Sequence, residues 1–178
     1  MVRKTEKGRF GSIRVLAMSA VLVAMSIVCG KYLAFGFGNV LRFSFENLPI
    51  LMAGMLFGPV AGVAVGVVAD LIGCLLVGYA INPILTVGAA FIGLAGGLIY
   101  RLCARLPYSL RLGLAVMTAH LLGSVVIKTV GLAAFYDMPL WILMLWRLLN
   151  YLIVGAAEYV LLYFILKNKG IRSVTGRL

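Results

Sequence analysis

Acid is scarce in this chain. Among 178 residues, Asp and Glu together number 5, against 16 Lys and Arg. There is 1 histidine, and the 3 cysteines, Cys29, Cys74 and Cys103, are an odd number with no metal-ligand spacing. So small a stock of ligating and acid–base groups excludes a His-Glu-x-x-His zinc site. It also leaves no convincing nucleophile–base pair for a membrane enzyme. A Gly-x-x-x-x-Gly-Lys-Ser/Thr phosphate cradle is missing as well, so any ATP hydrolysis belongs to another polypeptide. The cysteines lie in apolar surroundings and read as small buried hydrophobes. No Pro/Ser-rich linker divides the chain, and no A-x-A site follows the first apolar run. That run therefore reads as an uncleaved spanning helix.

What the chain does have is hydrocarbon. Hydrophobic residues make up 63% of it, and the mean hydropathy is +1.11. Soluble domains sit near about 45–50% apolar, so too little polar surface is left here to cover a water-soluble core. A bilayer core about 30 Å thick needs roughly 20 helical residues. Six segments answer that description: residues 13–30, a short one at 45–57, then 59–77, 83–102, 111–135 and 140–166. The fold expected is an all-α integral membrane bundle of six helices, occupying 1–178 as a single domain.

The net charge of +11 does not point to nucleic acid, because the charges are gathered at helix ends. Arg3, Lys4, Lys7, Arg9 and Arg14 precede the first apolar run. Arg101, Arg105 and Arg111 fall between the fourth and fifth helices, and Lys167, Lys169, Arg172 and Arg177 form the tail. With six crossings, all three blocks share one side, which satisfies the positive-inside rule with both termini cytoplasmic. Residues 1–12 and 167–178 are then cytoplasmic extensions. The exceptions are Lys31, Arg42, Lys128 and Arg147, all toward the outer side. Lys128 and Arg147 lie roughly 10 Å in from the outer helix ends at 1.5 Å per residue. An outer cavity of that sign attracts an anion.

Two helices carry polar stripes: His120, Ser124 and Lys128 on the fifth, and Arg147, Asn150 and Glu158 on the sixth. The blander reading of the cations is internal pairing: Arg42 with Glu46, Arg147 with Asp70, or Lys128 with Asp137. His120 reads as a lone packing histidine, and Trp141 and Trp146 as an interfacial belt. Gly58, Gly62 and Gly66 are spaced for close helix approach and lead to Asp70. On the first helix, Ala17, Ala20 and Ala24 share a face suited to packing within the bundle or to a partner helix.

The run "RFSFENLPILMAGMLFGPVAGVAVGVVADLIG" carries a resemblance. Leu48-Pro49-Ile50, Gly54, Leu56-Phe57-Gly58-Pro59 and the Gly62, Gly66, Asp70 series resemble the S components of energy-coupling-factor (ECF) vitamin transporters, above all the folate-type branch. The resemblance implies a substrate-binding subunit rather than an enzyme, in the plasma membrane of a bacterium. It also implies a transmembrane T component and two cytoplasmic ATPase subunits as partners, with Ala17, Ala20 and Ala24 facing the T component. No cofactor is implied. For folate, Arg147 and Lys128 are expected to hold carboxylates, with Arg42 at the mouth. Asn150 and Asn82 would hydrogen-bond polar edges, Glu46 or Asp70 would accept pterin N–H groups, and Phe43 and Tyr79 would stack. Pantothenate and queuosine-precursor S components share the same style. A small stand-alone secondary transporter is the other alternative, although no inverted repeat is visible.

Overall fold

The computed structural model describes residues 12–37, 41–137 and 139–168, without the side chains of Gly36, Phe37, Leu41, Arg42 and Tyr136. The basic blocks at residues 3–9 and 169–177 lie outside the described residues. Six helical segments form a bundle. They are α1 (Ile13–Tyr32), α2 (Asn47–Phe57), α3 (Pro59–Val77), α4 (Pro83–Leu102), α5 (Tyr108–Phe135) and α6 (Leu140–Lys167). All but α2 are long and apolar enough to cross a membrane. At 11 residues, α2 spans only about 16 Å, which is half of a hydrocarbon core. Its burial is nearly complete from Asn47 to Met55, so it is enclosed by the other helices rather than facing lipid.

Local chemistry sets the boundaries. Gly58 has φ 116, a turn open to glycine alone, and Pro59 at the first position of α3 has its φ preset for the helix. Gly78 closes α3 in the left-handed conformation, as helix C-termini favour. Asn82 caps α4, its side chain accepting from Ile84 N at 3.0 Å, and Pro83 again opens the helix. Between α1 and α2, where glycines and aromatic residues suit a loop that bends and packs, the chain forms a small antiparallel hairpin. Its strands are β1 (Phe35–Phe37) and β2 (Leu41–Phe43), with Gly36 opposite Arg42.

Glycine governs how α2, α3 and α4 meet. A Cβ placed on Gly62 would stand 2.5 Å from Gly93 O, and one on Gly97 would stand 2.6 Å from Gly54 O. The backbones touch directly, which is how helices gain dispersion contact in lipid. The Gly58–Gly66 stripe is thus spent on α4, as the spacing implied. An apolar core of Leu51, Ile92, Leu112, Val116 and Leu162 fills the middle of the bundle. At one end, Arg101 donates to Phe57 O at the α2–α3 turn, 3.4 Å away. At the other end lie the hairpin and the α3–α4 and α5–α6 turns.

Helix α5 is irregular. Residues His120–Ile127 are wound as a π-helix between α-helical flanks, and α1 ends in a similar segment, Val28–Tyr32. Such widening rotates the residues beyond it relative to a regular helix, and it concentrates at functional positions.

Candidate functional site

A cavity of about 290 Å³ opens at the hairpin end of the bundle. Every helix but α2 sends residues into it from its nearby turns. Helix α1 contributes Lys31, and the link from β2 to α2 contributes Ser44 and Glu46. Asp70 and Cys74 come from one face of α3, followed by Tyr79 and Ala80 in the turn after it. Leu85 comes from α4, Lys128 and Leu132 from α5, and Arg147, Asn150 and Tyr151 from α6. Spacings of three and four explain why these residues share a wall.

Three cations face two carboxylates here, leaving one positive charge in excess. Lys128 is buried, and its Nζ donates to Glu46 Oε1 at 2.9 Å. Glu46 is fixed from the other side too, its main-chain oxygen accepting from Ser26 Oγ at 2.6 Å. Asp70 Oδ2 accepts from Thr86 Oγ1 at 2.7 Å. Lys31 stands 5.6 Å from the centre of the Tyr79 ring, within cation–π reach. Arg147 differs from the two lysines. Its guanidinium donates to Ser124 O at 3.2 Å and to Tyr151 Oη at 3.4 Å. Its Nε is buried without a hydrogen-bond partner, and among the described residues no carboxylate pairs with it. Arginine presents a planar fork shaped for a carboxylate, and Arg147 lines the cavity with no carboxylate on it among the described residues.

Of the candidate ligand residues, Glu46, Asp70, Tyr79, Lys128, Arg147 and Asn150 come together around this cavity. Phe43 is half-buried but does not line it, and Asn82 is buried as a helix cap. Both ends of the Asn82 amide are occupied, since Nδ2 donates to Gly131 O at 3.1 Å. The Arg42 side chain lies outside the described residues. Neither Arg147–Asp70 nor Lys128–Asp137 is formed, and the expected pairing of Arg42 with Glu46 lies outside the described residues. Glu46 pairs with Lys128 across 82 positions of sequence, because folding carries α5 against the start of α2. Asp70 takes Thr86 as its hydrogen-bond donor, and Asp137 is exposed in the turn after α5. His120 is not alone either: its Nε2 lies 2.6 Å from Glu158 Oε2, both side chains being buried. Tyr151 and Cys74 were missed. Each was marked by its spacing, one turn beyond Arg147 and Asp70 respectively.

Helix α1 turns two faces outward and inward. Val15, Leu22 and Ser26 are buried, whereas Ala17, Ala20 and Ala24 are exposed together with Ile13, Leu16 and Val21. Trp141 is 80% exposed on α6.

The description "ECF transporter, substrate-specific component" matches residues 14–166. The chain belongs to that family. It is a multi-pass membrane protein and a transporter subunit that binds substrate. A crystal structure of FolT bound with folic acid is similar to it, with 25% identity and a TM-score of 0.72, over 86% of this chain and 93% of that one. The S component of a bacterial ECF transporter shares the fold at 20% identity and a TM-score of 0.61, over 86% and 95% of the two chains. An S component for biotin does so at 18% and 0.64, over 98% and 100%. No curated protein matches the chain. The family that the Leu48–Asp70 motifs resemble is therefore the family to which this S component belongs.

Proposed function

We propose that this S component captures folate from the outer face of a bacterial plasma membrane, with both of its own termini in the cytoplasm. It would pass the vitamin to a transmembrane T component driven by two cytoplasmic ATPase subunits. The observation that carries the ligand reading is Arg147: a guanidinium with no acid partner among the described residues, directed at a cavity of net positive charge. Folate offers two carboxylates at one end and a flat pterin with N–H donors at the other. Arg147 and Lys31 suit the first, with Lys128 adding its remaining hydrogens. Glu46 and Asp70 suit the second, and Tyr79 and Tyr151 offer ring faces. Arg42 belongs at the mouth by its place in the hairpin. Asn150 meets a polar edge, while Asn82 acts by holding α4 against α5. At about 290 Å³ the cavity is near the lower end of ligand pockets, which run from about 300 Å³. Part of the ligand then extends toward the loops.

The similarity to FolT supports folate over other vitamins; the biotin S component, at 18% identity, speaks to fold alone. Docking on the T component is supported by the exposed Ala17, Ala20 and Ala24, since small residues let two helix backbones approach closely in lipid. The test is to purify the chain in detergent and identify small molecules released on denaturation by mass spectrometry. Folate or a derivative is expected. A stoichiometric amount of another vitamin overturns the substrate and keeps the division of labour.

A further inference from the structure

Behind the cavity lies a second polar cluster that no ligand-lining residue explains. His120 and Glu158 are both fully buried and do not line the cavity. Glu158 sits 11 positions beyond Arg147 on α6, about 16 Å along the helix axis. Their 2.6 Å contact ties α5 to α6. The His120 ring stacks on Tyr151, with centroids 5.3 Å apart and planes at 26°. Tyr151 in turn accepts from Arg147, whose guanidinium carbon is 5.4 Å from that ring's centre. Ser124 closes the circuit: its Oγ is 3.4 Å from His120 Nδ1, and its main-chain oxygen accepts from Arg147. All of this occurs where α5 is wound as a π-helix, a geometry that exposes a main-chain acceptor toward α6. Gly155 leaves room for the histidine; a Cβ there would stand 3.3 Å from His120 Cδ2.

Holding a carboxylate in membrane protein is costly unless it is paired, so a structural role alone would be met as well by two apolar side chains. We infer that His120 and Glu158 are positioning residues for the ligand site: the pair fixes the Tyr151 ring, and through it the orientation of the Arg147 guanidinium. This rests on the reading of Arg147 as the carboxylate-binding residue. The pair would thereby set affinity for the anionic end of the ligand without touching it.

The test compares wild type, Glu158→Gln, Glu158→Leu and the double variant His120→Phe/Glu158→Leu, each purified as the full chain. Affinity is measured for folate and for 6-hydroxymethylpterin, which carries no carboxylate. Glu158→Leu is expected to weaken folate about fivefold and 6-hydroxymethylpterin less than twofold. Glu158→Gln, which can keep the hydrogen bond, should restore folate binding, and in an Arg147→Ala background the loss should vanish. If Glu158→Leu fails to fold, the double variant carries the same expectation, because it leaves no buried charge unpaired. A ligand-free readout accompanies these: the rate at which phenylglyoxal modifies Arg147, followed by peptide mass spectrometry with Arg101 as internal reference. That rate should rise several-fold in the leucine variants. Equal losses for both ligands, or an unchanged Arg147 rate in a folded variant, overturn the inference. If wild type binds no folate while the Arg147 rate still rises, the substrate reading fails and the positioning role stands.

Discussion

The Lys128–Glu46 pair makes an unequal prediction about its two halves. Lys128 is 7% exposed at its side chain and Glu46 27%, so removing one partner or the other leaves different charges behind. Glu46→Ala strands an ammonium in membrane protein, and breaking a buried pair in that way costs about 3–5 kcal/mol. Lys128→Met keeps the methylene stem that packs against Gly88 and takes one partner from a carboxylate that still reaches water. Losing a charged hydrogen-bond partner of that kind costs about 1–3 kcal/mol. For a chain of this length each kcal/mol moves the melting temperature by about 2–4 °C. Glu46→Ala should then lower Tm by roughly 6–20 °C and Lys128→Met by roughly 2–12 °C. Glu46→Leu combined with Lys128→Met should lose less than Glu46→Ala alone, since the buried ammonium is removed together with its carboxylate. Unfolding followed by tryptophan fluorescence in detergent measures all three. The reasoning is refuted if Lys128→Met is the more damaging single change, or if the double variant loses as much as both singles together.

Other expectations follow from the same geometry. Arg147→Ala should weaken folate binding tenfold or more, about 1.4 kcal/mol, with Tm unchanged; equal affinity in a folded variant removes Arg147 from the site. Tryptophan at Ala20 and Ala24 should abolish vitamin uptake by the assembled transporter and spare ligand binding by the isolated chain, and loss of both would mean misfolding instead. Gly62→Val should prevent recovery of a monodisperse protein, because its Cβ alone would come 2.5 Å from Gly93 O; a normal melting curve would show that α3 and α4 are farther apart than described. Cys74 lines the cavity, so folate should slow its labelling by a maleimide and leave Cys103 untouched.

Much of the fold could be read from local signals. Prolines at 59 and 83 and the glycine at 78 placed α3 and α4 at their observed bounds, because each residue acts on its own turn. The start of α5 was set three residues late, as Pro107 and Tyr108 at its head were passed over for the arginine that follows. The hairpin was hidden for another reason. Its aromatic residues and the Gly38-Asn39 pair are hairpin signals, but in so apolar a chain they also suit a loop at a membrane surface. Register and partner choice were out of reach. Nothing local tells Glu46 to meet Lys128, 82 positions away; the tertiary approach of α2 and α5 decides it. The π-helical turn at His120–Ile127 left no pattern that periodicity could detect, and it changes which residues face α6. This is why the polar stripes were visible while the His120–Glu158 contact was not.

The most direct measurement is a calorimetric titration of the purified, ligand-stripped chain with folate, repeated in the presence of excess biotin or pantothenate. The account predicts saturable one-to-one binding of folate that neither competitor displaces and that Arg147→Ala weakens. Binding of biotin or pantothenate with no heat from folate would contradict it, as would folate affinity indifferent to Arg147.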